Sequence, residues 1–212
     1  METILQKLFD AVLEGDFDGV ETNVTAALEA GLDPNAILND GMIAAMREVG
    51  VRFEAGEYYV PEMLIAARAM QSGMVLLKPH LQKTEQKSNG RVLMGTVKGD
   101  LHDIGKNLVG LMLEGAGYEI IDLGVDVPAE EFVKKAIELK PDVIGMSALL
   151  TTTMASMKTT LDALDAAGLR KNIKVIVGGA PVTDTYAQQI EADGFSPDAS
   201  RAVNLVNELL GR

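Results

Sequence analysis

The sequence predicts a helical domain followed by a doubly wound, flavodoxin- or Rossmann-like α/β domain, an α/β fold with a five-stranded parallel sheet. Three observations carry this. The first 86 residues hold apolar stripes at helical spacing and no convincing strand. From Arg91 the pattern turns to short apolar runs alternating with helical stretches, which is how a parallel sheet covered on both faces reads. Between the two lies a polar run, Lys83–Arg91, ending in Asn-Gly-Arg. The expected division is a helical domain over 1–86, a linker over 87–91 and an α/β domain over 92–212.

Each element has its own warrant. Ile4, Leu5, Leu8, Phe9, Val12 and Leu13 form a helical stripe that Gly15 ends, and Val20, Val24, Ala27 and Leu28 form a second, closed by Gly31. Asp33-Pro34 reads as an N-cap followed by Pro at N1, opening a third helix through Val49. A turn over Glu54–Tyr59 precedes Pro61, and a fourth helix runs from Met63 toward Leu81. Four helices with short connections predict an antiparallel bundle. The expected strands are Val92–Val97, Glu119–Leu123, Val143–Ser147, Val175–Val177 and a short fifth at Gly194–Ser196. Helices are expected over Gly105–Gly117, Ala129–Leu139, Met154–Ala167, Thr183–Ala192 and Ala199–Leu210.

Composition removes several kinds of function. In the 212 residues, 19 Lys and Arg against 31 Asp and Glu leave a net charge of −12, which repels phosphate backbones and anionic membranes; nucleic acid and membrane partners are not expected. With no cysteine there is no disulfide, thiolate metal site or Cys nucleophile. Only His80 and His102 are present, so a three-histidine zinc site is impossible. No run approaches the roughly 18 apolar residues of a membrane span, and a cytoplasmic location is expected.

In open α/β sheets, ligands bind beyond the carboxyl ends of the strands. After the first strand comes Gly99-Asp100-Leu101-His102-Asp103-Ile104-Gly105; after the third, Ser147, Leu149, Thr151 and Thr153; after the fourth, Gly178-Gly179; and Ala199 opens the last helix. Asp100 and His102 are two apart, so the carboxylate can bond one imidazole nitrogen and leave the other to face a metal. The plain alternative is that Asp100 caps the following helix and His102 is an ordinary loop residue. A dinucleotide fingerprint and a Walker lysine pattern are both missing.

With these residues in view, the sequence resembles the corrinoid (vitamin B12) carrier proteins of methyltransferase systems, related to the cobalamin-binding region of methionine synthase. The likeness rests on Gly99–Asn107, on Ser147-Ala148-Leu149, on Gly178-Gly179, and on Phe53 with Gly56–Pro61. It implies cobalamin, as methylcobalamin or a related corrinoid, bound with its own base displaced. His102 would be the cobalt ligand, with Asp100 behind it and Thr153 at the position of a relay hydroxyl. Gly99, Leu101, Asp103, Ile104 and Gly105 would pack around the lower face, with Thr151 near the corrin. Ser147, Leu149, Gly178, Gly179 and Ala199 would line the path of the displaced tail. Phe53 and Val60 would meet the methyl-bearing face, or else are bundle core.

The implied function is that of a methyl carrier and not an autonomous enzyme. Its implied partners are a substrate-specific methyltransferase, a second methyltransferase acting on tetrahydrofolate or a thiol, and a reductive activase. Two other readings stand beside it: a small metal-dependent hydrolase using Asp100, His102 and Asp103, or a cobalamin-binding subunit of a mutase.

Overall fold

The computed structural model describes residues 3–81 and 88–212, and its contacts divide the chain into two units, Met1–Lys87 and Ser88–Arg212. Of the expected linker over 87–91, Lys87 lies outside the described residues. Asn89 is tied to the second unit, its backbone N–H donating to Gly117 O at 3.1 Å, and Arg91, expected to end the linker, opens the first strand.

The first unit is built from α1 (Ile4–Glu14), α2 (Phe17–Glu29), α3 (Pro34–Ala36), α4 (Ala44–Glu54) and α5 (Val60–Leu81). Local chemistry sets the ends. Thr3 accepts from Gln6 N at the start of α1, Gly15 leaves that helix in the left-handed region at φ 71°, and Asp16 caps α2 through Gly19 N. Asp33 caps α3 with Pro34 in its first turn. Between α3 and α4 the backbone does not break but widens into a π-helical stretch, Ile37–Ile43, closed by a bond from Ala44 N to Asn39 O. The expected third helix is thus continuous in space but not uniform. There Gly41 lies against Leu8, whose Cδ2 would be 2.8 Å from any added Cβ. Leu8, Val12, Val20, Val24, Met42, Met63 and Leu77 form the interior of this unit.

The second unit is one parallel sheet of β1 (Arg91–Thr96), β2 (Glu119–Asp122), β3 (Val143–Ser147), β4 (Lys174–Gly178) and β5 (Gly194–Phe195), in the order β2-β1-β3-β4-β5. The helices are α6 (Ile104–Gly115), α7 (Ala129–Leu139), α8 (Ala155–Ala166), α9 (Asp184–Gln189) and α10 (Ala199–Leu210). α9 is shorter than the periodicity suggested, because Ile190 leaves the helix and Glu191 takes φ 64° before β5. One core gathers Leu93, Ile144, Met146, Val175 and Val177 against Phe132, Met157, Leu161 and Leu164. Phe132 packs so closely on β1 that a Cβ at Gly95 would meet its ring at 2.7 Å, which is why that strand carries a glycine. On α6, Gly110 approaches Met94 and Ile120. Strand order reverses between β1 and β3, so the crevice for a ligand opens there.

Because Phe132 is fully buried, Phe132→Ala is expected to destabilise the chain by about 3–5 kcal/mol, read from urea unfolding. A loss below about 1 kcal/mol would show that the ring is not an integral part of this core.

Candidate functional site

Thr96 ends β1, and the chain then turns through Gly99, whose φ of 86° suits glycine, into the segment Asp100–Asp103 before α6. Asp100 has no exposed surface. Its Oδ1 accepts from His102 N at 3.0 Å and from His102 Nδ1 at 2.8 Å. Its Oδ2 accepts from Leu149 N at 2.8 Å, Leu150 N at 3.3 Å and Thr153 Oγ1 at 2.6 Å. Burial alone pushes this carboxyl up, but the bonds from Thr153, His102 and Leu149 together outweigh it and hold the group well below the usual carboxylate range. Asp100 is therefore ionised and can only accept.

That fixes the imidazole. With an acceptor facing it, Nδ1 carries a proton, so that in the neutral ring the lone pair lies on Nε2. The His102 side chain is 52% exposed, so Nε2 is accessible. The two loops that meet at Asp100 expose apolar side chains: Leu101 at 71%, Ile104 at 84%, Leu149 at 42% and Leu150 at 44% exposure. A Cβ at Gly105 would meet nothing within 4 Å. A single nitrogen donor with exposed hydrocarbon on the same loops agrees with what the resemblance implies, a metal whose other positions a macrocycle fills. It does not suit a bare ion needing several protein ligands. Asp103 turns to Asn107, whose Nδ2 donates to Asp103 Oδ2 at 3.0 Å, and among the described residues no three His, Asp or Glu side chains converge. The hydrolase reading thus has no ligand set.

The other expected residues fall as follows. Ser147 ends β3, with its hydroxyl 2.9 Å from that of Thr96. Thr151 is exposed in the loop after β3, and Thr153 is buried. Gly178 ends β4, where a Cβ would stand 3.2 Å from Ser196 O. Gly179, at φ 121°, is bounded by its own chain: a Cβ there would lie 1.9 Å from Ala148 O. Ala199 is buried at the start of α10, whose cap Asp198 accepts from Arg201 N. Phe53, partly buried, and Val60, 41% exposed, belong to the helical unit. Asp100 does not cap α6, because all its acceptor capacity is spent on His102 and the loop after β3.

Four positions were not singled out from the sequence. Thr96, fully buried, donates to His102 O at 2.8 Å; a hydroxyl inside an otherwise apolar strand was the available signal. Leu150 contributes through its backbone, which no side-chain pattern reveals. Lys106, 5% exposed, reaches Asp122 Oδ2 at 2.5 Å and Asn107 Oδ1 at 2.7 Å; a lysine in the first turn of a helix gives little sign of that. Asp126 is treated below.

Comparison with known proteins supplies the context for this geometry. Two models described as B12 binding domain match the chain, over residues 90–204 and 4–78. Trimethylamine corrinoid protein 2 of Methanosarcina acetivorans is 44% identical over 207 residues, covering 97% of this chain and 95% of its own. Dimethylamine corrinoid protein 1 of the same organism is 44% identical over 210 residues, covering 99% and 98%. The crystal structure of the methanol:cobalamin methyltransferase complex MtaBC from Methanosarcina barkeri contains a chain that matches with a TM-score of 0.88 at 32% identity, over 98% of this chain and 80% of that one.

The depressed Asp100 carboxyl has a definite pH signature. Its ionised form stabilises the fold above the ordinary carboxylate value of about 4, and that contribution is lost as pH falls toward its lower folded value. Asp100→Asn leaves the Leu149 and Leu150 amides facing an amide and is expected to cost on the order of 2–3 kcal/mol at neutral pH. Its loss of stability between neutral and about pH 3 should also be shallower than in the unaltered apoprotein. Identical acid limbs in urea titrations of the two proteins would refute the ionised state of Asp100.

Proposed function

Since the chain belongs to the B12-binding-domain family, whose models match both of its units, we propose that it is a corrinoid protein. In this reading it holds cobalamin by His102 and carries a methyl group from a substrate-specific methyltransferase to a second one acting on tetrahydrofolate or a thiol. The observation that carries this reading is the half-exposed His102 imidazole, held in its Nδ1–H form by a buried Asp100 on a loop that also exposes apolar side chains. When bound, the corrinoid supplies a cobalt centre able to accept and release a methyl group.

His102 Nε2 would hold the cobalt in place of the cofactor's own base. The Asp100 carboxylate raises the basicity of that nitrogen by accepting from Nδ1–H. Leu101, Ile104, Leu149 and Leu150 offer hydrocarbon to the macrocycle around it. Ser147, Leu149, Gly178, Gly179 and Ala199 border the path assigned to the displaced tail, and Gly99, Asp103, Gly105 and Thr151 lie against the ring. In the helical unit, Phe53 and Val60 are the apolar residues assigned to the cofactor.

Thr153 adds a proton-handling element. Its Oγ1 stands 2.6 Å from Asp100 Oδ2 and 2.8 Å from Leu150 O, yet the hydroxyl has one hydrogen. While Asp100 is ionised, that hydrogen serves Asp100. If the carboxyl takes a proton, it can donate to Thr153 Oγ1, and the hydroxyl turns to Leu150 O. Both protonation states are satisfied without moving a heavy atom. A proton taken up at His102 Nε2, when that nitrogen is not engaged, is balanced by the Asp100 charge beside it.

The partners follow from chemistry and likeness. The site has no enclosed nucleophile of its own, which suits a carrier subunit in place of an autonomous enzyme. The relatives named for trimethylamine and dimethylamine, and the methanol complex, support a one-carbon donor presented by a separate methyltransferase. A reductive activase is the further partner assigned to such a system. No helix among the described residues is long and apolar enough to cross a membrane. A mutase subunit is the weaker reading, because the helical unit has its own B12-binding match.

The test is a visible spectrum of the protein after mixing with hydroxocobalamin and desalting. A retained corrinoid, near one per chain, is expected, with the spectrum altered and retention weakened at least about tenfold in His102→Ala. A folded protein that emerges colourless, or a variant indistinguishable from the parent, sinks the assignment.

A further inference from the structure

The segment that carries Asp100 and His102 is held from two sides. On one side, Asp100 Oδ2 takes the Leu149 and Leu150 amides and the Thr153 hydroxyl. On the other, a strap between β2 and α7 runs alongside it. Thr96 N donates to Gly124 O at 2.9 Å, Val127 N to Thr96 O at 3.0 Å, and Val97 bridges Val127. Within this strap Asp126 makes two contacts on adjacent residues of the site. Its Oδ1 accepts from Gly99 N at 2.6 Å, and its own N–H donates to Asp100 O at 2.9 Å.

The backbone restricts this pair of bonds to a short side chain that carries an acceptor. Asp126 takes φ 53°, a left-handed conformation that side chains other than Asn and Asp adopt reluctantly. Gly99, opposite, is left-handed at φ 86°. The side chain at 126 must therefore tolerate that conformation and also carry an acceptor short enough to reach Gly99 N. Asp126 is exposed and contributes nothing to the core, so core packing does not account for an aspartate there.

We infer that Asp126 is a positioning residue for the metal ligand: by holding the Gly99–Asp100 backbone, it fixes the Asp100 carboxylate and so the direction of His102 Nε2. This rests on the reading of His102 as the axial donor. Without the Asp126 carboxylate, the Gly99 amide has no side-chain acceptor, and on this side the strap holds Asp100 only through the Asp126 N–H to Asp100 O. The Asp100–His102 bond then spans a wider range of directions, and ligation weakens although every residue of the donor pair remains.

Two substitutions separate this role from a structural one. Asp126→Gly accepts the left-handed backbone freely but removes the acceptor, while Asp126→Asn keeps both the conformation and an Oδ1 acceptor. Each protein, grown with heavy-nitrogen histidine, is loaded with cob(II)alamin, and the axial-nitrogen splitting of the cobalt electron paramagnetic resonance signal is read. The parent and Asp126→Asn are expected to show the splitting of a labelled histidine. Asp126→Gly is expected to show ligation weakened about tenfold, the usual scale for losing a supporting partner, with the apoprotein's melting temperature nearly unchanged.

A labelled signal of full strength in Asp126→Gly overturns the inference alone, as does an equal loss in Asp126→Asn. A parent signal indifferent to the label removes the His102 reading and this inference with it. Should Asp126→Gly fail to fold, amide exchange in the parent apoprotein decides: a Gly99 amide that exchanges as fast as an open loop overturns the inference, and a protected one supports it.

Discussion

A carboxylate with no exposed surface is a costly thing to fold around, several kcal/mol in an apolar setting unless its lone pairs are occupied. Asp100 is such a group, and five donors occupy it: His102 N and Nδ1, Leu149 N, Leu150 N and Thr153 Oγ1. Three of these come from the loop after β3 and two from its own segment after β1. The charge can be satisfied only if both loops take one relative arrangement, so the same interaction that stabilises the ion fixes the place where the two loops meet. That place is the gap at which strand order reverses.

Support for the arrangement spreads outward through the strand ends. Thr96 holds the carbonyl of His102 and touches the Ser147 hydroxyl, joining β1 and β3 below the site. Lys106 ties the first turn of α6 to Asp122 at the end of β2, and Asp122 in turn accepts from Gly124 N at 2.9 Å. At the end of β4, Gly179 fits against Ala148 with no room for a Cβ, so the loop holding Leu149 and Leu150 is pressed from that side. Its glycine is demanded first by the protein's own backbone.

Much of this was legible in the sequence, for identifiable reasons. The strands β1, β3 and β4 are short apolar runs between polar segments, and burial on both faces leaves that mark on composition. Capping residues are equally direct, as Asp33-Pro34 and Asp198 show. The π-helical stretch at Ile37–Ile43 was not legible, since one extra residue per turn hardly alters an apolar stripe this short. At the site, Asp100 and His102 could be read because they are neighbours in the chain. Thr153, 53 positions from Asp100, was reached through family resemblance, and its bond to Asp100 is a tertiary fact. Leu150 and Asp126 act wholly or partly through the backbone, whose partners periodicity does not encode.

The spacing of two between Asp100 and His102 has a physical reason. A single oxygen, Oδ1, accepts both the backbone N–H and the ring Nδ1 of the same residue, at 3.0 and 2.8 Å. The first bond is an Asx turn and sets the path of the chain; the second sets the rotation of the ring about it. Glutamate, one methylene longer, would carry its carboxylate past the turn. Asparagine could supply the acceptor for one bond but would present an N–H to the Leu149 amide or to the ring. Only an ionised aspartate two residues ahead fixes backbone, rotamer and tautomer together. Under the proposed function, a constant direction for Nε2 would depend on all three.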